Sequence, residues 1–438
     1  MEWYYALLII LVPCIFFFAI GMPISFAFLA VMLSSSIALM GIKVGPYQTI
    51  HSLFDSIATF SLTPIPLFVL MGEIMTHSGL ASQSVDVVSK LLGKVPARLS
   101  IVANLGGGLF GMLSGSTMAS TAVLGGTLVP EMMKRGYSKA LTLGPIMAAG
   151  GLAMIIPPSN IAVIYGTTNE VPVGKLLIAG FIPGWLMAFN YIAMIYITVK
   201  LRPHLAPPYE IEKIGWRKKL HMFVVELMPL GIIVFLVTGI FILGIATPTE
   251  AAALGAMGTL GVTAAYRKMN WKVLRNSIAG TVTITGMSLL IIGGSQIFAQ
   301  LLSYSGITQL IVNWVMNLSW PPLAILGGMI VIILVMGCFM ESVPIIMVTA
   351  PVFTPIIRHL GLDPVWVGCI LLVALEVGLL SPPFGLVLFV MKGVAGKYAT
   401  MAEIYRAVWP YILCDIFTIV LLILFPALAL WLPSLMLK

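Results

Sequence analysis

The feature that most constrains this chain is a succession of apolar stretches about as long as a bilayer is thick, with the charges pushed into the segments between them. At 1.5 Å of rise per residue, about 20 apolar residues carry a helix across a hydrocarbon core of roughly 30 Å. Stretches of this kind run near 4–22, 24–41, 61–76, 140–165, 176–199, 222–244, 250–266, 276–302, 364–391 and 407–432. Only 9% of the 438 residues are charged and 60% are hydrophobic, where a soluble domain carries roughly 25% charged residues. That composition excludes a soluble globular enzyme, a disordered protein and a nucleic-acid binder, and leaves an all-α polytopic membrane protein. The 28 prolines and 42 glycines predict interrupted helices. Cys14, Cys338, Cys369 and Cys414 lie in apolar stretches without CxxC spacing and read as buried thiols. The amino terminus lacks a basic region and a small-residue cleavage site, so it reads as a retained first span.

Two further apolar stretches, 99–133 and 321–357, are broken in the middle by polar clusters, LSGST at 113–117 and MES at 340–342. Arms of about 15 residues, roughly 22 Å of helix, are too short to cross comfortably, and both stretches are expected to be re-entrant hairpins. The distribution of basic residues sets the orientation. With the side alternating at each span, one side holds Lys90, Lys94, Arg98, Lys134, Arg135, Lys139, Lys200, Arg202, Lys213, Arg217, Lys218, Lys219, Arg267, Lys268, Lys272, Arg275, Lys392, Lys397 and Arg406, leaving Lys43, Lys175, Arg358 and Lys438 on the other. The first group is cytoplasmic by this rule, which puts both termini in the periplasm, opens the first hairpin to the cytoplasm and opens the second to the periplasm.

The chain also resembles itself. Ser78-Gly79-Leu80 returns as Ser305-Gly306-Ile307, Pro130 as Pro355, Pro157-Pro158 as Pro382-Pro383, and Pro183 as Pro410, at an offset of 225 to 227 (for example 382 − 157 = 225 and 306 − 79 = 227). Since the charges place the two copies on opposite sides, an inverted-topology repeat is expected, an architecture common among secondary transporters. The expected division is scaffold spans over 1–76, a first repeat over 77–183, linking scaffold over 184–304, a second repeat over 305–410 and the end of the last span over 411–438. The first repeat holds hairpin 99–133 and broken helix 140–165; the second holds hairpin 321–357 and broken helix 364–391.

Chemistry is expected at the interruptions. Proline has no N–H and clashes with the preceding turn, so each Pro-Pro pair must break its helix. Serine is a good amino-terminal cap and proline suits the first helical position, an order expected for Ser381-Pro382 and for Ser342 with Pro344. Ser114, Gly115 and Ser116 supply flexible backbone and hydroxyls at the first tip. Freed carbonyls and hydroxyls suit a small hard cation such as Na⁺, and outgoing helix amino termini suit an anion. No Lys or Arg lies near the middle of a span, so an anionic substrate is expected to rest on dipoles, hydroxyls and bound Na⁺. Glu73, Glu250, Glu341, Glu376 and Asp415 lie in or near apolar spans, where ionisable groups are costly and are candidates for function. Glu341, at the second tip, is the foremost: a cation ligand, a proton carrier or a cap for the Ser342 helix. The GGG run at 106–108 reads as close helix packing. There is no GxxxxGK[ST] motif for ATP hydrolysis, and the five histidines form no clustered pair. Trp3, Tyr4, Trp185, Trp216, Trp320 and Trp409 fit interfacial anchors.

The segment GGGLFGMLSGSTMASTAVLGGTLVPEMMKRGYSKALTLGPIMAAGGLAMIIPPS (106–159) resembles the large membrane subunit of tripartite ATP-independent periplasmic (TRAP) transporters, the DctM-like family, and GCFMESVPIIMVTAPVFTPIIRHLGLDPVWVGCILLVALEVGLLSPPFG (337–385) resembles that family's second repeat. The resemblance implies a Na⁺-driven elevator in the bacterial inner membrane, not an enzyme, with Na⁺ as coupling ion and no other cofactor. It also implies a small membrane subunit, expected as a separate chain, and a periplasmic substrate-binding protein. One Na⁺ site would involve Ser114, Ser116, Gly151, Ile156, Pro157 and Pro158; the other Gly337, Ser342, Gly378 and Ser381, to which the tip position adds Glu341. Substrate, an organic acid of the sialic acid or C4-dicarboxylate type, would sit near Ser116, Thr117, Ser159, Asn160 and Phe384. The rival readings are a stand-alone Na⁺/dicarboxylate carrier and, from another class, a channel or scaffold subunit.

Overall fold

The computed structural model describes residues 3–93, 95–207, 215–240 and 245–436, and every regular element among them is a helix. Lys94, Lys213, Lys438 and the end of the expected span 222–244 lie outside the described residues. Five described helices are long and apolar enough to cross a membrane: Ser25–Ile57, Val173–Leu201, Trp271–Tyr304, Ser342–His359 and Met401–Leu424. Three bent pairs meet the same criterion: Phe60–His77 with Leu80–Leu91 at 66°, Lys139–Ile155 with Asn160–Thr168 at 44°, and Trp216–Leu227 with Gly231–Gly239 at 46°.

Several boundaries differ from the sequence reading for identifiable reasons. One boundary is kept: Ile24–Ile57 is two helices joined at Gly41, φ 84° and ψ 164°, where the first ends as expected, and the second folds back on the first, the Ser36 and Thr49 hydroxyls lying 2.8 Å apart. Glycine bears that positive φ without a steric penalty, which is why the chain turns back at this position. The expected span 407–432 divides into Met401–Leu424 and Ala427–Ser434, because Pro426 has no N–H to give to Leu422. Within 216–239, Phe223–Leu227 and Phe235–Gly239 are π-helical, a widening that a 3.6-residue period does not foretell.

Each half of the chain contains the same run of elements. An amphipathic helix comes first, Leu80–Leu91 or Ile307–Asn317, entered through a left-handed glycine, Gly79 at φ 71° or Gly306 at φ 75°. A hairpin follows: Arg98–Ser114 with Thr117–Lys134, or Pro322–Gly337 with Ser342–His359. Then comes a broken helix: Lys139–Ile155 with Asn160–Thr168, or Pro364–Leu380 with Leu386–Ala395. Both Pro-Pro peptide bonds are cis. The hairpin arms have 17, 18, 16 and 18 residues, longer than the expected 15, and Ser342–His359 passes the length test for a span by itself. Arm length therefore does not separate a re-entrant hairpin from a crossing pair.

Packing joins these elements into one large core that includes residues of both hairpins and both broken helices together with Tyr191, Ile195, Ala407, Tyr411 and Ile419. The glycine run of the first hairpin is what lets it close: Cβ atoms on Gly107 and Gly108 would lie 2.6 Å from Ala149 Cβ and 2.9 Å from Leu152 Cδ1. A smaller cluster, with Ala6, Ile10, Val31, Met32, Ile297 and Leu301, seats the first two helices on Trp271–Tyr304. Two of the acidic residues singled out above serve local structure. Glu73 pairs with His77 at 3.2 Å, and Glu250 closes a capping box, accepting from the Thr247 N–H at 2.7 Å.

Candidate functional site

At the first break the backbone chemistry follows from the two prolines. In an unbroken helix the N–H groups of residues 157 and 158 would bond the carbonyls of Ala153 and Met154, and proline supplies neither. Ser159 repairs one of the two: its hydroxyl donates to the Met154 carbonyl at 2.5 Å while its oxygen accepts from the Ala162 N–H at 3.2 Å, capping the short helix that follows. Ile156 carries the chain across in an extended conformation, φ −76° and ψ 124°.

The tip of the first hairpin meets this break. Gly115 turns it at φ 65°, and Ser116 caps Thr117–Lys134 by accepting from the Ala119 N–H at 3.2 Å. Thr117 Oγ1 donates to the Gly150 carbonyl at 3.3 Å. A Cβ on Gly115 would lie 2.4 Å from Asn160 Nδ2, so only glycine lets the tip touch Asn160. The other end of that amide, Oδ1 of Asn160, is buried and has no hydrogen-bond partner among the described residues. Two helix amino termini thus open side by side, at Thr117 and Asn160, with their partial positive charge and no Lys or Arg among the residues named. Ser116, Thr117, Ser159 and Asn160 are brought together as expected. The side chain of Ser114 lies outside the described residues.

The second break closes on the second hairpin more tightly. A Cβ on Gly337 would lie 2.5 Å from Gly378 Cα, and one on Gly378 would lie 2.8 Å from Gly337 Cα, so backbone meets backbone. Two expected caps are not formed. Ser381 ends helix Pro364–Leu380, its hydroxyl donating to the Val377 carbonyl at 2.7 Å, and the next helix begins only after Gly385. Pro382 and Pro383 therefore sit in the connection rather than at a first helical position. At the tip it is Glu341, extended at φ −71° and ψ 162°, that precedes the helix, without a side-chain cap bond. Ser342 is instead buried within the first turn, its hydroxyl 3.7 Å from Met154 Sδ of the first broken helix, so the two halves touch through it. Glu341 is exposed. Phe384 is 49% exposed and its ring meets that of Phe339 at 5.4 Å, an aromatic pair at the second tip. No described contact joins it to Ser159 or Asn160.

Glu376 and Asp415 are both fully buried. The Glu376 carboxyl packs onto the backbone of Gly151, where a Cβ would lie 1.8 Å from its Cδ, and neither of its oxygens has a partner among the described residues. Asp415 accepts a hydrogen bond from the Tyr191 hydroxyl, and the ring of Tyr191 meets that of Tyr411 at 5.5 Å. Tyr191, Tyr411 and the buried Asn104 carry polar atoms into this packing, and nothing in their sequence surroundings singles them out. Tyrosines in apolar stretches look alike until the helices are assembled.

Comparison with known proteins gives a consistent result. The description of the tripartite ATP-independent periplasmic transporter DctM component matches residues 11–428. The chain is 34% identical over 383 residues, 87% of its length and 88% of the relative's, to the C4-dicarboxylate TRAP transporter large permease protein DctM of Pseudomonas aeruginosa. It is 31% identical over 397 residues, 90% of its length and 91% of the relative's, to the 2,3-diketo-L-gulonate TRAP transporter large permease protein YiaN of Escherichia coli. Among solved structures, the Alcanivorax borkumensis YdaH transporter superposes with a TM-score of 0.69 over 95% of this chain and 98% of that one at 14% identity, a likeness of fold.

Proposed function

The chain belongs to the DctM family of tripartite ATP-independent periplasmic transporter components, multi-pass proteins of the inner membrane that transport rather than catalyse, and from that membership we propose that it is the Na⁺-coupled subunit that carries an organic acid across. The related permeases are named for a C4-dicarboxylate and for 2,3-diketo-L-gulonate, both organic acids. The observation that carries the reading is the meeting of the first tip with the first break. Two helix amino termini open there beside the polar side chain of Asn160, positive dipole ends that suit an anion. In this reading Ser114, Ser116, Gly151 and the backbone of Ile156–Pro158 hold one Na⁺. Gly337, Ser342, Gly378 and Ser381, with Glu341 at the mouth, hold a second. Ser116, Thr117, Ser159 and Asn160 face the substrate, and Phe384 closes over it from the second tip.

The parallel runs of elements, each with a glycine-entered helix, a hairpin and a proline-broken helix, support an inverted repeat with both termini in the periplasm. Sliding of the hairpins and broken helices against the remaining helices would give an elevator. A separate small membrane subunit and a periplasmic binding protein complete the transporter. The test is uptake into proteoliposomes that contain the chain and its small subunit, with an inward Na⁺ gradient and labelled succinate or sialic acid, with and without the binding protein. Uptake that needs both Na⁺ and the binding protein is expected. Na⁺-driven uptake without the binding protein would make the chain a stand-alone carrier, and uptake indifferent to Na⁺ would remove the proposed ion sites.

A further inference from the structure

Between the second half of helix Ile24–Ile57, the end of the short helix Asn160–Thr168 and helix Trp271–Tyr304 lies a half-open cavity of about 230 Å³. Ser52, Asp55, Thr167, Thr168, Gln296 and Gln300 face it, and no Lys or Arg does. Ser52 is buried, Thr167, Thr168 and Gln296 are half-buried, and Asp55 and Gln300 are exposed at the mouth, so the cavity groups polar side chains within reach of solvent. The Gln300 carbonyl oxygen is engaged, accepting from Ser52 Oγ at 2.5 Å and Gln48 Nε2 at 3.4 Å, so its amide donors are the part left for a guest. The Gln296 side chain makes no hydrogen bond among the described residues. The Thr167 hydroxyl donates to the Val163 carbonyl at 2.9 Å, which leaves its oxygen as an acceptor. The one charge in the lining is Asp55, 2.7 Å from His51 in an exposed pair. The cavity therefore offers amide donors and hydroxyl acceptors around a negative or compensated charge, with nothing to bind a carboxylate.

We infer that this cavity is a binding station for the hydroxylated, uncharged part of the transported acid, and that the chain prefers polyhydroxylated monocarboxylates, the sugar acids, over dicarboxylates. The inference rests on the transport reading above and adds the substrate class to it. The volume of about 230 Å³ is enough for several hydroxyl-bearing carbons and lies below the roughly 300 Å³ at which whole-ligand pockets begin. Helix Asn160–Thr168 has nine residues, about 13 Å at 1.5 Å per residue, and that length separates the cavity from the amino terminus at Asn160. It is a second station, bounded by the short helix on one side and by two long helices on the other.

The test uses the chain purified in detergent together with its small membrane subunit, with thermal unfolding followed against D-gluconate and succinate at fixed Na⁺, and against Na⁺ alone. Gluconate is expected to raise the midpoint saturably at concentrations where succinate does little. Gln296→Leu, which removes an amide that makes no internal bond, should weaken the gluconate response roughly three- to tenfold, the worth of one hydrogen bond, and leave the Na⁺ response unmoved. Asp55→Asn should strengthen the succinate response by about threefold, as expected for a unit charge ~7 Å away in a water-like dielectric. Succinate binding as well as gluconate would overturn the inference, as would gluconate binding that neither variant alters. A saturable Na⁺ response in those cases would leave the symport reading standing. Absence of any response to Na⁺ and to both acids would remove the two together.

Discussion

Ser159 shows how one side chain makes a helix break tolerable. It gives its proton to a carbonyl that proline has orphaned and takes an N–H from the next helix, so both ends of the interruption are bonded through a single hydroxyl. The sequence announces the break, since two consecutive prolines admit nothing else, but it does not announce which serine repairs it. At the second break the matching position is Phe384, which has no hydroxyl, and the Gly378 carbonyl that Pro382 orphans accepts from the Ser381 N–H at 3.1 Å instead. Glu376 was legible as a buried acid and not as a neighbour of Gly151, because that contact joins positions 225 residues apart (376 − 151 = 225) through a glycine whose packing partner has no sequence signature. The contact makes a specific prediction. Gly151→Ala alone should destabilise the chain by roughly 1–3 kcal/mol through overpacking. Combined with Glu376→Ala, its added cost should shrink by about 0.5–3 kcal/mol, the coupling expected of touching residues. Unfolding of the two single variants and the double variant in detergent measures this, and strictly additive costs would show that the two do not touch.

The elements themselves were the most legible part of the fold. Apolar length marks the spans, polar clusters mark the hairpin tips, and Pro-Pro marks the breaks, because each signal is local and physically obligatory. The caps proposed at Ser342 and Ser381 were not, since a serine beside a proline permits a cap without requiring one. Helix Leu386–Ala395 starts four residues later than that pattern suggests, after a connection through Pro382–Gly385 in which Gly385 leaves no room for a Cβ, 2.4 Å from the Leu379 carbonyl. Glycines on the same hairpin arm can now be told apart. Gly337→Ala pushes a methyl into the Gly378 backbone and should destabilise by roughly 1–3 kcal/mol. Gly328→Ala, with nothing within 4 Å of the new Cβ, should instead stabilise by roughly 0.5–1 kcal/mol, the helix-interior gain of alanine over glycine. Opposite shifts in the unfolding midpoint are expected, and equal shifts would place the seam between these helices elsewhere.

For the whole molecule, the placement of charge does more than set orientation. In the proposed symport, with no Lys or Arg at the two breaks, a transported acid would have only its Na⁺ ions to offset its charge, so any excess of Na⁺ over substrate charge would cross the membrane as current. Each elementary charge is then favoured by about 2.3 kcal/mol per 100 mV of inside-negative potential. A valinomycin-imposed potential should accelerate uptake into proteoliposomes, and an unchanged rate would mean electroneutral coupling. The doubling of the element order was visible in the prolines and glycines that must recur to break and turn the chain. The polar cavity was not, because its walls come from three stretches far apart in sequence, each unremarked by itself. The glycine seam at Gly337 and Gly378 carries a consequence of another kind. Where two main chains touch there is no side chain to vary, so mutational drift can alter this contact only by adding atoms that it cannot hold. Divergence in what such a protein transports has to accumulate around the seam, in surfaces such as the polar cavity, while the seam keeps its two hydrogens.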